Sequence, residues 1–195
     1  MSAEPSRSLV EAASRGEAPA IEELIARHLP RLRAYVRLRM GPELRQREGS
    51  MDLVQSVCRE VVEHLAGFRW EGEERFLGWL FTTALYKVQE KQRFHGRERR
   101  AAGKETRVPD DGELVAALDW LTPSRVAMGR ERLHRFEEAF ARLPEEYREV
   151  IALARIVGLG HREIAARMTR SEAATRKLLG RALAELGRLL GAEEG

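Results

Sequence analysis

The sequence predicts an all-α protein: two small helical domains joined by a linker, the second built around a helix-turn-helix. Three observations carry this. Apolar residues recur at spacings of three and four over most of the 195 residues, and no run of alternating polar and β-branched residues competes with them. Glycine and proline stand between the periodic segments, where breakers belong. Near the C-terminus two helical segments are separated by a three-residue turn signal, Thr169-Arg170-Ser171.

Residues 1–16 form an N-terminal segment without an assigned element. The first domain, 17–100, opens with a helix over 17–40, where Ile21, Leu24, Ile25, Leu32, Val36 and Met40 share most of one face. Pro30 is the place for a kink, and Gly41-Pro42 ends the helix. A second helix covers 51–66. Ser50 is its expected cap, and Asp52 sits against the positive end of the dipole. Leu53, Val57, Val61 and Leu65 form its stripe, widened by Val54, Cys58 and Val62, and Gly67 stops it. After the loop 68–74, a third helix over 75–93 carries Phe76, Trp79, Leu80, Thr83, Ala84 and Val88. It runs on into a basic segment ending Arg97-Glu98-Arg99-Arg100.

Residues 101–122 read as the linker and 123–195 as the second domain. Thr122-Pro123 caps a helix that reaches about residue 143. Pro144 opens the next, 145–157, with Val150, Leu153, Ala154 and Val157 inward. Gly158-Leu159-Gly160 interrupts it. A short helix over 161–168 presents Ile164, Ala165 and Met168 as its apolar face. Ser171 then caps a last helix, 172–189.

The formal net charge is +3, from 34 basic and 31 acidic residues, so the chain is no basic tail. Between Lys87 and Arg107, however, eight basic residues face three acidic ones, and the local charge of +5 exceeds that of the whole chain. The single cysteine, Cys58, excludes an internal disulfide and a multi-cysteine zinc site, and the five histidines lack metal-ligand spacing. No P-loop, paired catalytic carboxylates or nucleophile–base pair is present, so neither an enzyme nor a cofactor is expected. No apolar run approaches the roughly 20 residues of a membrane span, and no signal-peptide pattern opens the chain. The expected compartment is the cytoplasm, without a membrane partner.

Two constellations suit nucleic acid. The last helix offers Glu172, Arg176, Lys177 and Arg181 outward, near the N-terminal half from which such a helix meets base edges in the major groove. A structural helical hairpin with a solvated charged face has the same spacing, so both readings stand at this point. In the first domain Phe68 and Trp70 precede Phe76, Trp79, Phe81 and Tyr86, and Lys87, Lys91, Arg93 and Phe94 follow. Aromatics interleaved with cations suit unstacked bases and their phosphates, although Phe76 and Trp79 read as core.

Here the chain resembles the bacterial extracytoplasmic-function sigma factors. Met51-Asp-Leu-Val-Gln-Ser-Val-Cys-Arg-Glu-Val-Val-Glu-His-Leu65 is similar to their region-two helix. Phe76-Leu-Gly-Trp-Leu80 is similar to the start of their promoter-melting helix. Leu143-Pro-Glu-Glu-Tyr-Arg-Glu-Val-Ile151, Glu163-Ile-Ala165 and Arg176-Lys-Leu-Leu179 are similar to region four. The resemblance covers about 17–100 and 123–190, and the order and spacing of the motifs make it specific.

The resemblance implies partners and sites. Asp52, Gln55, Arg59 and Glu63 would meet the clamp helices of the largest subunit of core RNA polymerase. Phe68, Trp70, Tyr86, Lys87, Lys91 and Arg93 would capture and melt the minus-ten promoter element. Ser171, Glu172, Thr175, Arg176, Lys177 and Arg181 would read the minus-thirty-five duplex, with the second domain's apolar outer surface on the polymerase flap. The linker would thread toward the RNA exit path, and an anti-sigma factor is a further candidate partner. The chain departs from the family at Tyr86, where many members carry Asn, at Thr175, where an aliphatic residue is common, and at 41–49, a longer and more basic insert. Two other classes compete: a helix-turn-helix regulator with a sensing or dimerising N-terminal domain, and a helical adaptor without a nucleic-acid role.

Overall fold

The structure, a computed structural model, describes residues 4–69, 71, 73–98 and 130–191, and everything below concerns these. Among them are eight α-helices and no strand. The chain divides into two compact units, Met1–Asp110 and Asp111–Gly195. The expected linker 101–122 and the Thr122-Pro123 cap lie outside the described residues.

The first unit opens with a helix that periodicity did not reveal. Helix α1, Glu4–Ser14, lays Leu9, Val10 and Ala13 against α2, Ala18–Arg45. Three apolar positions over so short a stretch, beside Pro5 and three serines, make a weak pattern. The burial on α2 supplies what propensity does not. Helix α2 continues through the exposed Pro30 rather than dividing there. Its change of direction comes at Gly41, whose φ of 71° is a left-handed value that glycine takes without strain. The regular helix therefore breaks at Gly41-Pro42, as the sequence indicates, and Pro42 opens a short kinked continuation as far as Arg45.

Helix α3, Ser50–Leu65, buries Leu53, Val54, Val57, Val61 and Leu65 as its pattern requires. The expected cap is displaced by one position: Gly49 occupies the N-cap in extended conformation, and Ser50 is the first helical residue. Val62, expected to widen the apolar stripe, is 38% exposed. Helix α4, Glu73–Glu98, starts earlier and ends later than the apolar pattern alone indicates. Phe76, Leu77, Leu80, Phe81, Ala84 and Val88 are buried against α2 and α3. Tyr35 meets Phe81 edge-on at 5.0 Å in the middle of this core.

The second unit holds α5, Arg130–Arg142, and α6, Glu145–Ile151, which widens into a π-helical stretch, Ala152–Val157. It continues with α7, His161–Arg167, and α8, Glu172–Gly191. Leu133, Phe136, Phe140, Val150, Ile151, Leu153, Ile164, Leu178, Leu179, Ala182 and Leu186 form its core. Two left-handed residues close two of these elements. Gly158, at φ 81°, lets the Leu159 N–H return to the Leu153 carbonyl at 3.0 Å. After α7, Thr169, at φ 53°, lets the Arg170 N–H return to the Ala165 carbonyl at 2.9 Å. The first closure spans one residue more than the second, which matches its origin in a wider π turn.

A β-branched residue in the left-handed region is strained. Asparagine tolerates that conformation and keeps the closure, so Thr169→Asn should raise the stability of the second unit by about 0.5–1 kcal/mol. Thermal unfolding of the full chain measures this. An unchanged or lower midpoint would refute the strain.

Candidate nucleic-acid and partner surfaces

Helix α8 is held at its start by Ser171, whose Oγ accepts the Ala174 N–H at 3.2 Å. Ser171 is exposed, and Glu172, Arg176, Lys177 and Arg181 are exposed beyond it. At 3.6 residues per turn these positions cover roughly half the circumference of the helix. Glu172 and Arg176, one turn apart, are ion-paired. The hydrogen bond from Arg176 holds the Glu172 carboxyl below the ordinary carboxylate range, helped by the nearby charges of His161 and Arg162 on α7.

Thr175 is a correction. It is fully buried, and its Oγ1 donates to the Ser171 carbonyl at 3.1 Å, so it packs the helix and does not face a base. Its burial agrees with the aliphatic residue common at this position. The reading face gains exposed arginines instead: Arg162 and Arg167 on α7, and Arg170 in the turn, which is anchored to Glu146 at 2.6 Å. Sequence reasoning passed over these. The signal was available in the helix-turn-helix geometry, whose first helix crosses the phosphate backbone.

On α4 the predicted capture residues separate into two groups. Tyr86 is 64% exposed, and Arg93 is exposed on the same side. Phe94, 52% exposed and in edge contact with His95, joins them. Lys87 and Lys91 are instead committed within the protein. Lys87 Nζ lies 2.7 Å from Glu60 on α3, and Lys91 Nζ donates to Glu48 at 2.8 Å. The hydrogen bond that Lys87 donates to Glu60 raises the Lys87 pKa and lowers that of Glu60. Phe68 is partly buried, stacked on Trp79 with ring centroids 4.9 Å apart and edge-on to Phe76 at 5.6 Å. It fastens the start of the loop to the core rather than presenting a free ring. Trp70 lies outside the described residues.

On α3, Asp52, Gln55, Arg59 and Glu63 are all exposed at spacings of three and four, which places them on one outer stripe, with Val62 beside it. Between α2 and α3 runs an apolar cleft lined by Ile21, Ile25, Cys58 and Val62, floored by His28 and Phe76. His28 is 4% exposed with its ring 5.4 Å from that of Phe76. Burial, and then the charges of Arg31 and Arg27, push its pKa down to about 4. Burial likewise pushes the Cys58 thiol up, so it is a core-like group. Among the described residues no His, Cys, Asp and Glu cluster suited to a metal is present, and no helix is long and apolar enough to cross a membrane.

The two units correspond to two known regions. Residues 24–98 match Sigma-70 region 2, from within α2 to the end of α4, and residues 133–186 match Sigma-70, region 4, from α5 into α8. The chain is 30% identical over 179 residues to the ECF RNA polymerase sigma factor SigD of Mycobacterium tuberculosis, covering 92% of this chain and 81% of the relative. It is 29% identical to the RNA polymerase sigma factor CnrH of Cupriavidus metallidurans, covering 96% and 95%. The solved structure of CnrH in complex with the cytosolic domain of CnrY superposes with a TM-score of 0.63 over 96% of this chain and 97% of that one. The helix-turn-helix with its exposed cationic face, the aromatic and basic face of α4 and these matches agree: the chain belongs to the ECF RNA polymerase sigma factors and directs transcription initiation.

Proposed function

We propose that the two units divide promoter recognition between them. Residues 17–100 form the unit that grips the polymerase clamp helices through Asp52, Gln55, Arg59 and Glu63. It holds melted minus-ten bases with Tyr86 and Arg93, aided by the loop after Phe68. Residues 123–195 read the minus-thirty-five duplex through Glu172, Arg176, Lys177 and Arg181, and dock on the flap by their apolar outer surface. The linker 101–122 joins them toward the RNA exit path. The observation that carries this reading is the placement of charge. Arg93 stands exposed on one side of α4, and Arg176, Lys177 and Arg181 stand exposed on the first half of α8, whereas Lys87 and Lys91 are tied to acids of the same unit.

No step of this function needs a nucleophile, a metal or a nucleotide. Favourable contacts to a melted promoter offset base unpairing, and core polymerase supplies most of the sequence-independent grip. The protein acts in this reading as a non-enzymatic subunit in the cytoplasm. An anti-sigma factor is the further partner we propose, by analogy with CnrH, which was solved with the cytosolic domain of CnrY.

Run-off transcription on genomic fragments, with core polymerase and with or without the purified chain, tests the reading. The expected result is a discrete set of start sites that require both. If the chain alone binds a palindromic duplex tightly and polymerase adds nothing, the helix-turn-helix regulator takes its place.

A further inference from the structure

The insert 41–49 stood out in the sequence for its length and had no role in the promoter reading. In the structure it reaches α4. Glu48, half-buried, places Oε1 2.8 Å from Lys91 Nζ and 2.9 Å from His95 Nε2. A carboxylate only accepts, so both groups donate to it. Burial acts to raise the Glu48 carboxyl, and the hydrogen bonds from Lys91 and His95 outweigh it and hold the group below the ordinary range. One turn of the same helix supplies a third tie. Gln92 Nε2 donates to the Arg39 carbonyl at 3.1 Å and approaches the Met40 carbonyl at 3.4 Å. These carbonyls stand just before the break at Gly41. Arg45 ties the insert back to its own helix, with Nη1 donating to the Arg37 carbonyl.

The geometry of α4 gives these ties a consequence. At about 100° per residue, Lys91, Gln92 and His95 share the face that continues Ala84 and Val88, which are buried. Tyr86 and Arg93 lie on the opposite face. Val88 is the last buried apolar residue described on α4, and none of the residues 89–95 is a buried hydrophobic anchor. The described ties at this end of the helix are polar, to Glu48 of the insert and to the Arg39 and Met40 carbonyls just before it.

We propose that the insert is a brace for the promoter-facing end of α4, and that Glu48 is a positioning residue that aims Arg93, and through it the exposed aromatic face, at the melted strand. This rests on the reading of α4 as the minus-ten helix. The brace touches no base itself. It sets where the bases are met, and preorganised contacts lose strength steeply when their support is loosened.

The test uses the full chain with core polymerase on a promoter selected by run-off transcription. Opening is read as permanganate reactivity of thymines in the non-template strand, and polymerase affinity is measured in parallel by anisotropy of the labelled chain. Glu48→Gln and Glu48→Ala should leave polymerase affinity unchanged and lower opening by about five- to tenfold, the scale of one lost ordinary hydrogen bond. Exchanging the partners, Glu48→Lys with Lys91→Glu, should recover most of the opening, which a merely structural defect would not permit. Hydrogen exchange should quicken in 91–98 for Glu48→Ala and not in α2 or α3. Opening at the wild-type level in Glu48→Ala, with Arg93→Ala impaired, overturns the brace and spares the α4 reading. If Arg93→Ala and Tyr86→Ala also open normally, the α4 reading fails and the brace falls with it.

Discussion

Arg176→Ala and Lys177→Ala should each weaken recognition of the upstream promoter element by about 1–3 kcal/mol, a loss of roughly 5- to 150-fold in promoter-directed transcription when the removed group meets a base. Both side chains are exposed within the first two turns of α8, beyond a cap that fixes where the helix begins. The two need not act alike. Arg176 is paired with Glu172, which orients its planar guanidinium along the helix, and a guanidinium so held suits the bidentate edge of guanine. Lys177 is a point charge on a flexible stem and suits a phosphate. The expected signatures differ accordingly. Losing a base contact relaxes preference at one base pair, whereas losing a phosphate contact weakens all sequences alike and lowers the salt slope by about one. Run-off transcription and duplex binding over a range of salt measure both. If the double variant transcribes the wild-type promoter at the wild-type level with polymerase affinity intact, α8 is not the reading helix. Thr175→Ala forms the contrast: it acts on packing, since its hydroxyl is spent inside the unit on the Ser171 carbonyl.

That contrast shows where the sequence was legible. Helix periodicity located seven of the eight helices, because each buries a stripe long enough to repeat. It missed α1, whose three buried residues repeat too few times to stand out, and which is placed by its docking on α2. It read Gly41-Pro42 as a stop, and the backbone does leave the helical region at Gly41, but a short helical piece follows to Arg45. Only tertiary contacts, Lys91 and His95 on Glu48 among them, reveal that the segment beyond is held. The candidate sites divide in the same way. Exposed residues on a regular face, such as Asp52, Gln55, Arg59 and Glu63, follow from spacing alone. Whether a cation is available does not follow from spacing. Lys87 and Lys91 are neutralised by Glu60 and Glu48, 27 and 43 positions earlier, and no local pattern announces a partner at that distance. Phe68 was likewise read from its neighbours as a free ring, while Trp79 and Phe76 claim it.

The first unit should lose stability in mild acid because of one buried histidine. His28 is 4% exposed against Phe76, and its pKa is pushed down to about 4, first by burial and then by Arg31 and Arg27. In the unfolded chain the same imidazole titrates near 6.5. Between these values the unfolded state binds a proton that the native state refuses, so stability falls as pH drops. The contribution is fully present above pH ~6.5 and is lost progressively down to pH ~4, where it levels off, a total of about 3 kcal/mol for a shift of this size. Glu48 and Glu60, whose carboxyls are held low by Lys91, His95 and Lys87, contribute only at the acid end of this window and below it. His28→Leu separates the two effects. It replaces a neutral buried ring by an apolar group at a cost of about 1–2 kcal/mol at neutral pH, and it removes the slope between pH 6.5 and 4 while leaving the carboxylate limb. Urea unfolding followed at Trp79, in a Trp70→Phe, Trp120→Phe background that leaves it the single tryptophan, reports on this unit. A wild-type midpoint flat across that window, or an unchanged slope in His28→Leu, would show that His28 is not the group that makes the first unit acid-sensitive.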